Sequence, residues 1–209
     1  ERSDSARHGD HGESDGTLDA RLGSEVAIIV GMRDEGREAD GWRLMATIPK
    51  RGLPEVWPSA LTGLLSGEQQ CVYRAWFPAH FSFEKLPSTF DFAAWKVEHT
   101  ALVLSTVQQL KKDGWTTKTE NENRFALSGT TCRLVGKPDI VAKKGARIRV
   151  VDCKTGKPSD SHGLQVAIYM IALPLSWERP NLFIDGQVVY KGHAVHIEPE
   201  SVGPIKPKL

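Results

Sequence analysis

The sequence predicts a mixed α/β fold, a β-sheet with helices packed on its faces. Three observations lead there. Two long stretches, FDFAAWKVEHTALVLSTVQQLKKDG and SDSHGLQVAIYMIALP, carry apolar residues at helical spacing between a capping residue and a breaker. Short apolar runs near 115–119, 124–128, 133–142 and 147–153 lie between them and read as strands. The order is helix, strands, helix, strands, without internal repeat.

Taken in chain order, residues 1–24 are polar, acidic and rich in Gly and Ser. Such composition buries little, so they read as a mobile or externally propped tail, with His8 and His11 doing nothing structural. Residues 25–56 read as a small β add-on, in which VAIIVGM and WRLMATIP are strands around the polar loop RDEGREADG. Residues 57–198 are the main domain and 199–209 a C-terminal tail. The domain opens with PSALTGLLSGEQQCVYRAWF, helical in one or two pieces, with Pro58 at an opening and Pro78 closing. Asp91 then caps a helix whose Phe92, Trp95, His99, Leu102, Val103, Thr106 and Leu110 share a face, and Gly114 stops it. After the strands, Ser161 or Asp160 caps the second long helix and Pro174 terminates it. NLFIDGQVVY reads as a hairpin on an Asp185-Gly186 turn, and HAVHIEP as a last strand.

A chain of 209 residues, 40% hydrophobic, can build one domain with a real core. No apolar run is long enough to span a bilayer, and no signal peptide is expected. The three cysteines, Cys71, Cys132 and Cys153, are widely spaced and fit free thiols in a cytoplasmic protein. Charge is nearly balanced in total but not along the chain. Residues 1–40 hold 5 basic and 11 acidic groups, net −6, and residues 111–157 hold 12 basic and 5 acidic, net +7. The basic segment suits a polyanionic substrate, or equally a set of strand edges solvated by Lys and Arg.

That basic segment contains GKPDIVAKKGARIRVVDCKTGKP, where the chemistry concentrates. Strand alternation puts Asp152 and Lys154 on one face and Cys153 on the other. With the turn centred between Gly145 and Ala146, Asp139 falls opposite Asp152. Two carboxylates and an ammonium therefore converge at one end of a hairpin. Close carboxylates repel unless a cation sits between them. Oxygen ligands suit Mg²⁺ or Mn²⁺, and a lysine beside such an ion can orient a water or stabilise charge developing on phosphorus. Gln165 and Tyr169, four apart on the following helix, share a face that can look at this site. Tyr169 reads either as a nucleotide contact or as a core aromatic.

The set Gly136-Lys137-Pro138-Asp139, Asp152-Cys153-Lys154-Thr155-Gly156 and Gln165-x-x-x-Tyr169 resembles the PD-(D/E)XK nuclease superfamily. Within it, the pattern is most similar to the RecB nuclease domain and the related CRISPR-associated exonucleases. The resemblance implies a restriction-endonuclease-like core, a central mixed sheet flanked by helices. It implies a Mg²⁺- or Mn²⁺-dependent DNase acting on single- or double-stranded DNA, with Asp139, Asp152, Lys154, Gln165 and Tyr169 as catalytic residues. Asp139, Asp152, the backbone carbonyl of Cys153 and an upstream helix histidine matched by His99 would ligate the metal. His99 also reads as a core histidine. Glu98 is the neighbouring acidic candidate, and Lys137 and Lys157 are placed to meet DNA. The segment from Trp57 through Cys71 to Phe77 is similar to the family's opening helices, where some members carry the first cysteine of an iron–sulfur cluster. No cysteine follows Cys153, so no cluster is expected and Cys71 reads as a core residue.

Other readings are weaker. Thr155-Gly156-Lys157 is not a phosphate loop, because Pro158 stands where Ser or Thr is required. His193 and His196, three apart on a strand, point to opposite faces and make a poor zinc pair. Trp115 and Trp177 read as core or rim residues rather than base platforms. Three functions remain open: an active DNA nuclease of processing or repair, with a protein partner in a DNA-processing complex and no membrane; a catalytically silent DNA-binding or assembly module; or an active nuclease on RNA. Degenerate members lose the lysine or an acid, and all of Asp139, Asp152, Lys154 and Gln165 are present here.

Overall fold

The computed structural model describes residues 25–30, 43–83, 85 and 88–208. The expected tail 1–24, with His8 and His11, and the loop 33–41 lie outside the described residues. β1 (Glu25–Val30) and β2 (Arg43–Pro49) form a separate antiparallel pair, so the N-terminal add-on is present. β3 (Glu55–Val56), α1 (Pro58–Ser66), α2 (Tyr73–His80) and α3 (Phe92–Lys112) follow. Then come β4 (Thr116–Thr119), a 3₁₀ turn at Glu120–Asn123, β5 (Phe125–Ser128), β6 (Arg133–Gly136), β7 (Ile140–Lys144) and β8 (Arg147–Lys154). α4 (Asp160–Ser176), β9 (Asp185–Tyr190) and β10 (His193–Ile197) complete the domain. Among the described residues no helix is long and apolar enough to cross a membrane.

The fold is the expected restriction-endonuclease-like α/β architecture, centred on a five-stranded mixed sheet in the order β10-β9-β8-β7-β4. The β8/β9 pair is parallel and the others antiparallel, and α4 is the crossover that makes the parallel pair possible. α4 packs Val166, Met170 and Leu173 on Val141, Val150 and Val188 of one face. α3 packs Val103 and Leu110 on Ile140, Ala142, Val151 and Cys153 of the other. The centre of β8 is therefore covered on both sides, with Val150 and Val151 each 0% exposed.

Five expectations need correction. The run 133–142 is not one strand. β6 joins β3 and β5 in a second, three-stranded sheet, while β7 joins the central one. The break is Lys137-Pro138-Asp139, where Pro138 has no N–H for a ladder. The Asn123 amide clamps this segment by donating to the carbonyls of Lys118 and Pro138. Asp185-Gly186 is not a turn but the start of β9. A Cβ on Gly186 would lie 2.5 Å from Val166 Cγ1 and 2.6 Å from Met170 Sδ, so this glycine lets α4 approach the sheet. The hairpin turn is Lys191-Gly192, with Gly192 at φ 94°. Pro78 and Pro174 lie inside α2 and α4 rather than ending them, and the α4 cap is Ser159, which accepts from the Ser161 N–H. Cys71 is exposed between α1 and α2, not in the core.

Candidate active site

The hairpin has the expected register. Lys144 pairs with Arg147 and Ile140 with Val151, so one further step sets Asp139 opposite Asp152. Asp139 stands just before β7, and its carboxylate replaces the missing ladder, with Oδ2 accepting the Cys153 N–H at 2.7 Å. The same oxygen lies 3.3 Å from His99 Nε2. α3 supplies His99 from its sheet-facing stripe, and the Asp91 cap accepts the Ala94 N–H at 2.9 Å to start that helix. The bond to Asp139 raises the affinity of His99 for a proton above that of an ordinary imidazole, and burial opposes it.

Asp152 faces α4 and is 3% exposed. Its Oδ1 accepts from Gln165 Nε2 at 3.3 Å, and Lys154 Nζ lies 2.8 Å from Oδ2. That ion pair is the one polar contact of the buried Oδ2 among the described residues. Lys154 Nζ donates to Gln165 Oε1 at 2.9 Å, and Gln165 Nε2 also donates to Tyr169 Oη at 3.1 Å. Burial pushes the Asp152 carboxyl up to about 6, with the Lys154 ammonium working against it and the Asp139 charge reinforcing it. Burial, then the Asp139 charge, pushes the Cys153 thiol up to about 12, so it stays protonated. Its sulfur sits 3.8 Å from Thr106 Oγ1 on the α3 face, away from Asp152. Tyr169 is buried edge-on against Phe125. A Cβ on Gly136 would meet the Phe125 ring at 2.5 Å and Tyr169 at 3.0 Å. The glycine before Lys-Pro-Asp therefore makes room for the Tyr169 wall.

One cavity of about 630 Å³ brings together His99, Lys137, Asp139, Asp152, Cys153, Lys154, Gln165 and Tyr169. Glu98 and Lys157 are exposed and are not among its lining residues. Glu120, Phe92, Trp95 and Lys96 also line it and were not expected there. Glu120 holds an unusual φ of 38°, its N–H donates to the Asp139 carbonyl, and its carboxylate lies 3.7 Å from Lys137. Nothing in the TENENR stretch announces this. Phe92 and Trp95 were legible as part of the helix stripe, but the stripe reads as core.

The donor set fits a small, hard divalent cation. Burial and the nearby Asp139 charge disfavour the ionised Asp152 carboxylate, the Lys154 ammonium at 2.8 Å offsets this in part, and a divalent cation between the two carboxylates would offset it further. Among the described residues no three His, Cys, Asp or Glu side chains form a ready-made cage. Mg²⁺ typically asks for only one or two carboxylates and completes its shell with water and phosphate oxygens.

A family model described as the PD-(D/E)XK nuclease superfamily matches residues 54–200. No curated protein matches the chain. Among solved structures, one described as "Crystal structure of SSO0001" is 11% identical and is similar over 76% of each chain, with a TM-score of 0.39.

Proposed function

We propose that this chain, which belongs to the PD-(D/E)XK nuclease superfamily, is a Mg²⁺- or Mn²⁺-dependent deoxyribonuclease of the RecB-like, CRISPR-associated exonuclease type. It would hydrolyse phosphodiester bonds in DNA processing or repair, alongside a protein partner. The observation that carries the reading is the convergence of Asp139, Asp152, Lys154 and Gln165 in one cavity, with the buried Asp152 carboxylate paired to the Lys154 ammonium.

Asp139, Asp152, His99 and the Cys153 carbonyl would hold the metal. When bound, the metal supplies Lewis acidity toward a phosphate oxygen and lowers the pKa of water. The chain's own residues do the rest. Gln165 bridges Asp152 and Lys154 and fixes the ammonium beside the carboxylate. From there Lys154 can orient an attacking water or stabilise charge developing on phosphorus. Tyr169 anchors Gln165 through its hydroxyl. Lys96 and Lys137 on the cavity wall attract the phosphate backbone.

The test uses end-labelled linear DNA and circular DNA, single- and double-stranded, with Mg²⁺, Mn²⁺ or EDTA. Cleavage that requires metal and is lost in Asp152→Ala and Lys154→Ala is expected, and resistance of the circles identifies an exonuclease. The 2.8 Å pairing of Lys154 with Asp152 favours a second reading, the silent DNA-binding module. DNA binding that is indifferent to metal, with no cleavage of any substrate, would replace the enzyme by that module.

A further inference from the structure

The α3 wall of the cavity carries a feature that phosphodiester chemistry does not use. Trp95 stacks on His99 with ring centroids 5.1 Å apart at 23°. Phe92 packs on Trp95 at 5.4 Å and 32°, and Phe90 meets Trp95 at 6.4 Å. Phe92, Trp95 and His99 follow the i, i+3, i+7 line of one helix face, so the rings step from the rim of the cavity to Asp139. The inner ring is partly buried, but Phe92 is 61% and Phe90 59% exposed. A single exposed aromatic is ordinary. A stack that ends in open rings on the wall of a charged cavity is not accounted for by packing among the described residues. Lys96 on α3, Lys137 and Lys154 line the same cavity as the rings.

Resting on the nuclease reading above, we infer that Phe92, backed by Trp95, is a stacking station for the base of an unpaired nucleotide whose phosphate lies at Asp139 and Asp152. The occupant follows from two properties of the wall. Aromatic rings and ammonium groups together match a base joined to a phosphate, and base–aromatic stacking is tolerant of sequence. Within a duplex both faces of each base are covered by neighbours. An exposed phenyl ring therefore finds a free face on a single strand and not in the middle of a helix. The cavity volume of about 630 Å³ falls in the roughly 300–1,000 Å³ range of sites that take small ligands, more room than a phosphate alone needs.

The experiment compares wild type, Phe92→Ala, Phe92→Leu and Phe92→Tyr in the full chain. Fluorescein-labelled probes are a single strand, the same strand with abasic positions, and a blunt duplex. Binding is read by anisotropy in EDTA, and Mg²⁺-dependent cleavage is measured on the same probes. Expected is a loss of affinity for the single strand on the order of tenfold in Phe92→Ala and Phe92→Leu, retention in Phe92→Tyr, and little change for the duplex or for abasic strands. Equal binding of the intact single strand by wild type and Phe92→Ala overturns the stacking station. If wild type still cleaves DNA with metal in that case, the nuclease reading survives its loss. A wild type that neither binds nor cleaves any probe ends both.

Discussion

The two walls of the cavity are built in opposite ways. On the α4 side, Asp152 and Tyr169 are buried and Gln165 half-buried beside Val166, Leu173 and Val188, which are at most 1% exposed. Their polar atoms are tied to one another and to Lys154 within 3.3 Å. On the α3 side, His99 has its ion-pair contact with Asp139, and the rings beyond it open to solvent. The first wall is desolvated and packed, the condition under which fixed dipoles and charges act strongly. The second is a half-exposed edge suited to holding something that arrives.

The largest effect that tests this contrast is on cleavage. Lys154→Ala and Asp152→Asn should each lower the rate on the order of a thousandfold, as loss of a preorganised charge does. Unfolding curves should show at the same time that Asp152→Asn is as stable as wild type or more so at neutral pH, because it removes a buried carboxyl. Next come packing changes on the α4 side. Leu173→Ala should cost about 2–5 kcal/mol in urea unfolding, and Gly186→Ala roughly 1–3 kcal/mol as its Cβ presses on Val166 and Met170. The same measurement on Phe92→Ala should give a change within about 0.5 kcal/mol. A large loss there would mean that the outer wall is structural after all.

Smaller, and dependent on pH, is the response to metal. The Asp152 carboxyl titrates at about 6 against a reference of 3.8, so without metal its neutral form stabilises the fold at low pH and that contribution is lost as pH rises toward 6. His99, also raised, contributes stability that is present below 6.5 and lost above it, in the same direction. The metal-free protein should therefore lose thermal stability from pH 4 to pH 8, and Mn²⁺ should raise Tm more at pH 8 than at pH 5. An equal rise at both would speak against Asp152 and His99 as ligands. The smallest effect is electrostatic. Lys96→Ala should reduce the salt dependence of DNA affinity by about one unit of slope, with fold and cleavage chemistry intact.

Most of the fold was legible because its signals are local. The α3 stripe with its Asp91 cap and Gly114 stop, the Pro58 opening of α1 and the alternation along β8 are patterns of neighbouring residues. The register of β7 and β8 was legible because the short Gly145 turn leaves little freedom in pairing. The misreadings have one cause. Gly186 was read as a turn residue, yet its lack of a side chain serves a helix that passes over it. The run 133–142 looked continuous, but which sheet each half joins depends on partners far along the chain. Pro78 and Pro174 each cost one helical hydrogen bond, and surrounding packing held the helices through them.

The same division runs through the site. The residue types and spacings of Asp139, Asp152, Lys154, Gln165 and Tyr169 belong to the sequence, because strand and helix periodicity alone project them to one end of a hairpin and the helix beside it. Tertiary structure decided their states. Burial under α4 lifts the Asp152 carboxyl, and the approach of α3 sets His99 against Asp139. Chain crossing also brought Glu120, Lys96 and the Phe92–Trp95 stack to the same cavity. Desolvation and the distance between charges are sums over everything packed nearby, and no run of neighbouring residues contains them.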